Sequence, residues 1–317
     1  MSTEPPSDLS ISTCWNSHRH EDGWDLLSEL KELGFHQVEL SHGIRFSLWP
    51  GILKAVEEKL VSISSLHNFC PLPMGFTRAN PNCYEFSDER TRVRLRAIKQ
   101  TKETIDHASR FGAKAVVLHL GSTGQSRATE SLEALLKAGK LGSRRFVELK
   151  LAAIQEHEEK IPTVSRRVRE VLDEIVPHAE KKGVMLGFEC REEIEEFPID
   201  HLFEEWLARY PDSVVGYWHD FGHAARKDAI GFIDHEQHLD RLGSKCIGCH
   251  FHDFKWPVRD HCCPGKGEIP FHQYLPKIRK DALKVLELSP RVKSEDVQSC
   301  LSWWNALSQN LSQTGPS

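Results

Sequence analysis

No stretch of this 317-residue chain approaches the roughly 18 consecutive apolar residues that a membrane-spanning helix requires. The start, Met1-Ser2-Thr3-Glu4-Pro5-Pro6, is acidic and polar, unlike a signal peptide. A basic excess is also missing. The formal net charge is −5, which argues against a nucleic-acid binder with a basic face. Linkers, low-complexity tracts and repeats of the solenoid kind are absent. No glycine-rich nucleotide fingerprint follows the first apolar run. Cysteine is present, but its count is nine, an odd number in a chain too large to need disulfide staples. A reduced, cytoplasmic setting is the expectation. With 39% hydrophobic and 27% charged residues the chain is globular, not disordered.

What is present is a recurring unit: a short apolar run, a polar loop, then a helical pattern. Leu9 to Cys14 is the first run, and Asp25 to Leu33 reads as a helix with Leu26, Leu27, Leu30 and Leu33 on one face, ended by Gly34. Further strands are expected at 37–40, 60–66, 113–120, 183–189, 214–218, 247–251 and 283–288. Helices are expected from about Glu89 to Phe111, from Arg144 to Lys182 with a break at Pro162, and from Ser294 to Leu311. Eight strands alternating with helices imply a parallel sheet, and a closed (β/α)8 TIM barrel is the simplest solution. An open doubly wound sheet is the alternative. The whole chain, 1–317, reads as a single α/β domain with a core over about 9–312. Loop insertions are expected near 68–88, over one barrel end, and 121–142.

Histidine is abundant, at 18 residues, and its distribution is informative. In such a barrel, active sites lie at the C-terminal ends of the strands. Those ends carry Glu39, Ser41 and His42, then His67, His119, Glu189, Asp220 with His223, His250 with His252 and Asp253, and Glu287. A single histidine at a strand end is commonly structural. Carboxylates such as Glu189 and Glu287 inside apolar runs are costly to bury without a partner, and a metal ion satisfies both. Carboxylate plus imidazole suits Mn2+, Zn2+, Co2+ or Fe2+ and fits Ca2+ poorly. In Asp220-Phe221-Gly222-His223, Gly222 is expected to permit a sharp turn that returns His223 to the pocket.

These residues resemble the xylose isomerase-like barrels, a family that includes sugar phosphate isomerases and epimerases, inosose dehydratases and the endonuclease IV branch (AP endonuclease family 2). The most specific stretch is Cys249-His250-Phe251-His252-Asp253, then His261 and Pro264-Gly265-Lys266-Gly267-Glu268, supported by Asp220-x-x-His223. The resemblance implies that Glu189, Asp220, His250 and Glu287 bind one divalent metal, and that His223 contacts substrate or a second metal. It places His67, His119 and His261 at positions that hold extra metals in the endonuclease branch. That branch has Asp-x-His where this chain has Arg259-Asp260-His261, and a cation at Arg259 would oppose a further ion. One metal per chain is therefore expected. His252 and Arg259 join His67, His119, His223 and His261 as residues for substrate or an additional metal.

Other features carry less. Cys246-x-x-Cys249-His250 matches a haem-attachment pattern, but lies on a strand where positions 246 and 249 should face opposite sides. The charge run Arg191 to Glu196 reads either as a loop repelling anions or as a solvated loop. Trp15, Phe254 and Trp256 are candidates for an apolar substrate wall, or for packing between loops. Cys262 and Cys263 suggest packing, soft ligation or redox sensitivity. The leading expectation is a metal-dependent isomerase or epimerase of a small sugar or polyol carbonyl compound. Glu189 and Glu287 would be its catalytic carboxylates, moving a proton through an enediolate. A dehydratase or lyase on a keto-polyol, an endonuclease IV-like phosphodiester hydrolase and a non-catalytic barrel are the alternatives. The expected partner is a sugar-like small molecule, with no nucleic acid or membrane; a homo-oligomer is left open.

Overall fold

The computed structural model describes residues 8–257 and 259–314; the side chains of Arg259 and of residues 312–314 lie outside the described set. Seven parallel strands follow one another around a barrel: β1 (Leu9–Ser12), β2 (Gln37–Leu40), β3 (Ser62–His67), β4 (Ala115–Leu118), β5 (Met185–Glu189), β6 (Val215–Asp220) and β7 (Cys246–Phe251). An antiparallel hairpin, β8 (Asp253–Lys255) and β9 (Arg259–Cys262), comes next. The eighth barrel strand, β10 (Leu283–Leu286), pairs with β7 and with β1 and closes the ring. The expected closed barrel is thus present; the hairpin was not foreseen.

Helices α1 (Gly23–Glu32), α2 (Trp49–Glu57), α3 (Thr91–Phe111), α4 (Ala128–Lys137), α5 (Arg144–Lys182), α6 (Phe203–Leu207), α7 (Phe221–Ala229), α8 (His235–Leu242), α9 (Phe271–Tyr274) and α10 (Ser294–Thr314) alternate with the strands. Their ends follow from local chemistry. The Asp22 carboxylate accepts the Trp24 amide at 2.7 Å and caps α1. Gly112 and Gly183, at φ 70° and 67°, close α3 and α5 in the left-handed region that favours glycine. The break expected at Pro162 does not occur: α5 runs unbroken from Arg144 to Lys182 through Pro162 and Pro177. Its buried stripe of Val164, Val168, Val171, Leu172, Ile175 and Val176 holds it to the core, which offsets the backbone hydrogen bond each proline removes. The 68–88 segment contains no helix or strand, as expected of a loop, whereas 121–142 includes α4.

Alternation along the strands divides the interior. Leu66, Val116, Leu118, Leu186, Phe188, Val215 and Phe251 pack outward among the helices. Ala115, Val117, Trp218, Ile247 and Val285 fill the barrel lumen. The Trp218 indole is admitted because its neighbouring strands carry glycine. A Cβ on Gly248 would lie 2.1 Å from Trp218 Cζ3, and one on Gly187 2.9 Å from its Cε3. A register shift between β6 and β7 at Tyr217/Trp218 alters the alternation at the start of β7. Cys246 and Cys249 therefore both belong to the outer cluster, contrary to the expected opposite faces. Their thiols lie against the Gly248 and Leu283 carbonyls. None of the nine cysteines forms a disulfide. Among the described residues no helix is long and apolar enough to cross a membrane.

Candidate metal centre

The strand ends bring four ligand-type side chains together. Glu189 ends β5, Asp220 ends β6, His250 lies on β7 and Glu287 follows β10. One donor atom from each lies within 4.8 Å of the others, and all four residues are buried. His250 Nδ1 is 3.0 Å from Glu189 Oε1, 3.2 Å from Glu287 Oε2 and 3.6 Å from Asp220 Oδ2. Its other nitrogen, Nε2, is 3.2 Å from Glu39 Oε1. Ser65 Oγ in turn donates to Glu39 Oε2 at 2.8 Å.

This arrangement passes the test for a divalent ion. Three carboxylates converge on one buried ring nitrogen, so the donor set carries excess negative charge. A proton on Nε2, donated to Glu39, leaves the Nδ1 lone pair aimed at the quartet. A carboxylate holding the distal N–H is the usual support of a ligating histidine. Burial pulls the His250 imidazole pKa down, but the fields of Glu287 and Glu39 outweigh it and hold it well above the ordinary histidine value. Glu39 was visible at the end of strand two but had no role assigned; its burial inside Val38-Glu39-Leu40 was the available signal.

Asp220 is fixed from two directions. As N-cap of α7 it accepts the His223 amide at 2.7 Å through Oδ1. His252 Nε2 approaches the same oxygen at 2.9 Å. His252 Nδ1 accepts the His261 amide at 2.8 Å, so both nitrogens of that ring are engaged. His252 thus braces Asp220, and His223, His252 and His261 also come within ligand distance of one another. Gly222 differs from its expected role. It is helical, and a Cβ there would lie 1.9 Å from His252 Cε1, so the glycine admits the imidazole instead of making a turn. His261 sits at φ 51°, a conformation unfavourable for a side-chain-bearing residue, which is how the hairpin presents its amide to His252. His261 also pairs with Asp260 at 3.1 Å. Burial lowers its pKa, but the Asp260 hydrogen bond and the Glu287 field raise it to about 9.

A second group shares Glu189. His119 Nε2 is 2.6 Å and His67 Nε2 3.5 Å from Glu189 Oε2. Each ring's Nδ1 faces a carbonyl-type oxygen: Asn82 Oδ1 at 2.8 Å for His119, Asn68 O at 3.0 Å for His67. A proton on Nδ1 would leave both Nε2 lone pairs facing Oε2, a repulsive contact that only an intervening cation would relieve. A proton on Nε2 is donated to Oε2 instead; burial lowers the His67 pKa, but the Glu189 hydrogen bond accordingly outweighs it and raises the value. The same oxygen receives Arg191 Nη1 at 3.2 Å. Burial, aided by the Arg191 charge, pushes the His119 pKa down to about 3. His223 Nδ1 lies 3.4 Å from both Arg191 Nη1 and Asp220 Oδ2.

The Arg191–Glu196 run is not a solvated loop: Arg191, Glu195 and Glu196 are buried. Glu196 accepts Arg191 Nε at 2.9 Å, Glu195 accepts the Thr129 hydroxyl at 2.5 Å, and Glu192 pairs with Arg226. Of the proposed wall, Trp15 and Phe254 are buried, and Trp15 Nε1 donates to the Val292 carbonyl at 2.8 Å. Trp256 is exposed, and none of the three lines the cavity above the quartet. That cavity, about 840 Å³, is floored by Glu287 and His261 and lined by His42 and by residues 288–293. Cys262 and Cys263 line it too, with Cys263 Sγ 3.9 Å from the Asp296 carbonyl on α10. Arg259 lies on β9, but its side chain is outside the described residues, so the expected opposition to a further ion from that position stays open.

A family model described as xylose isomerase-like TIM barrel matches residues 27–306. No curated protein matches the sequence. Among solved structures, a D-tagatose 3-epimerase-like protein superposes with a TM-score of 0.66 at 17% identity, over 96% of this chain and 98% of that one. The 3-keto-D-glucoside 4-epimerase YcjR from E. coli gives 0.65 at 15%, over 94% and 99%. A Thermus thermophilus protein, TTHB071, soaked with ZnCl2, gives 0.60 at 18%, over 98% and 100%. At these identities the likeness is one of fold.

Proposed function

The chain belongs to the xylose isomerase-like TIM barrel family, and from that premise we propose that it is a divalent-metal-dependent isomerase or epimerase of a small sugar or polyol carbonyl compound. The observation that carries this reading is the buried Glu189–Asp220–His250–Glu287 quartet, open to the cavity through Glu287. Several neighbours of the same fold are sugar epimerases by name, which supports the substrate class.

A divalent ion in the quartet would supply Lewis acidity for adjacent carbonyl and hydroxyl oxygens of the substrate. The remaining work falls to side chains. Glu287 lines the cavity and is the carboxylate placed to take a proton from the carbon beside the carbonyl. Glu189 lies deeper, tied through Oε1 to His250 and through Oε2 to His119 and Arg191, so it holds its place while Glu287 exchanges the proton. Returning the proton from Glu287 to the neighbouring carbon gives isomerisation; epimerisation would need a second donor on the opposite face of the same carbon, a role that would fall to Glu189. Loss of the neighbouring hydroxyl would make the same site a dehydratase.

The test is C–H exchange in D2O over ketoses, inososes and keto-glycosides with metal-loaded protein. Exchange at a carbon next to a carbonyl, lost in Glu287→Gln, supports the reading; no exchange with any substrate removes it. One observation favours a second reading, a phosphodiester hydrolase. The His67 and His119 Nε2 atoms gathered on Glu189 Oε2 would suit a second ion. Cleavage of an abasic-site duplex by protein carrying two or more ions per chain would establish it in place of the first.

A further inference from the structure

The cavity above Glu287 has a polar asymmetry that proton transfer does not use. Its floor is acidic and imidazole-bearing, whereas its outer wall carries the permanent cations Lys255, Lys266, Arg291 and Lys293. The two carboxylates on that wall are already committed. Asp296 pairs with Lys266, and Asp260 pairs with His261 at 3.1 Å and Arg226 at 3.8 Å. Lys255, Arg291 and Lys293 have no carboxylate partner among the described residues. They come from two separate elements, the β8 strand and the turn between β10 and α10, which converge on one opening. The chain as a whole is acidic, at −5, so a mouth with three uncompensated cations departs from the average of the molecule. Low-dielectric walls focus such a charge on whatever enters.

Size points the same way. At about 840 Å³ the cavity lies in the upper part of the usual range for ligand pockets, roughly 300–1,000 Å³. A substrate whose carbonyl end reaches Glu287 therefore has room for a further group at the mouth.

Resting on the isomerase reading above, we propose that the substrate carries an oxyanion group, a phosphate or a carboxylate, at the end remote from its carbonyl, and that Lys255, Arg291 and Lys293 form the subsite that takes it. These residues lie away from the reacting carbon, so their contribution is to binding, not to the chemical step.

The experiment uses metal-loaded wild type and the variant Lys255→Gln, Arg291→Gln, Lys293→Gln. All three positions are exposed, so folding is not at stake. C–H exchange is followed on matched triplets: a neutral ketose, its terminal phosphate and the corresponding uronate. The wild type should favour an anionic member by about tenfold or more in kcat/KM, the effect of one charge-assisted contact. In the triple variant that preference should disappear through KM, with kcat and the neutral substrate unchanged. The better of phosphate and uronate identifies the group. Inorganic phosphate, titrated by calorimetry, is a second arm that needs no turnover. Phosphate binding to wild type but not to the variant, with no exchange on any sugar, keeps the subsite and removes the isomerase reading. Equal turnover of neutral and anionic substrates, with no phosphate binding, keeps the isomerase reading and overturns the subsite.

Discussion

The two oxygens of Glu189 face two different worlds. Oε1 looks toward His250, where three carboxylates crowd one imidazole nitrogen. Oε2 looks toward His119, His67 and Arg191, where three nitrogen groups surround one oxygen. Both neighbourhoods use residue types that ligate metals, and both are buried. What separates them is charge balance. The first is short of positive charge, while the second already contains a permanent cation. Ligand identity alone does not decide where an ion resides; the net charge of the donor set does.

The sharpest break of this comparison is to remove the carboxylates of the first side. Glu189→Ala with Glu287→Ala leaves His250 with Asp220 and Glu39 alone. Bound metal, measured by elemental analysis after dialysis, should fall to background, and C–H exchange should drop by about a hundredfold or more, the contribution typical of general acid–base groups. Full occupancy in the double variant would sink the quartet assignment.

The barrel was legible in the sequence because its signals are local. Apolar runs at 37–40 and 183–189 separated by helical patterns identify their own elements, and parallel pairing leaves few ways to connect them. Of the quartet, Glu189 and Glu287 were legible as carboxylates inside apolar runs, which advertise a partner; the full set of four came from the family resemblance. What the sequence hid depends on neighbours distant along the chain. Gly222 looked like a turn residue, and only the His252 ring beside it explains the missing side chain. Arg191 looked like part of a surface charge run, yet it is buried against Glu189 and Glu196. The hairpin of β8 and β9 rests on a residue at φ 51°, a non-glycine conformation that carries no sequence signal.

A milder break tests the support behind His250. If Glu39 holds the Nε2 proton, Glu39→Gln keeps the shape but weakens the carboxylate's pull on that proton. Metal affinity should fall by about 10–100-fold, the usual cost of losing such a partner, without loss of the fold. An unchanged affinity would mean that Glu39 serves only to balance charge.

Acid should separate the two sides further. In metal-free protein the His250 pKa is raised, so its folded-state stabilisation is complete below the unfolded value near 6.5 and is lost as pH rises through the folded value. An ion replaces that proton, so the melting-temperature gap between metal-loaded and metal-free protein should widen as pH increases. Metal affinity should fall as pH drops, and the fall should begin above about pH 6.5, the reference histidine value, because the competing proton is held more tightly than usual. An affinity that is flat between about pH 6 and 8, a span around that reference, would exclude His250 as a ligand.

The smallest expected effect concerns the second side. His67 and His119 bring their Nε2 atoms within ligand distance of Glu189, yet Arg191 Nη1 stands 3.2 Å from the oxygen all three share. A doubly charged ion about 4 Å from a guanidinium meets several kcal/mol of repulsion at an effective dielectric near 20. Glu196, 2.9 Å from Arg191 Nε, offsets part of that charge, so the opposition is reduced but not removed. Wild type should therefore hold about one ion per chain. Arg191→Met keeps bulk and removes charge; it should admit a second, weakly held ion, visible as a rise in metal content at high metal concentration that His119→Ala reverses. Arg191→Lys should stay at one. Two tightly held ions in wild type, with one lost in His119→Ala, would show that the imidazoles outweigh the guanidinium, and would move the chemistry of this site toward hydrolysis.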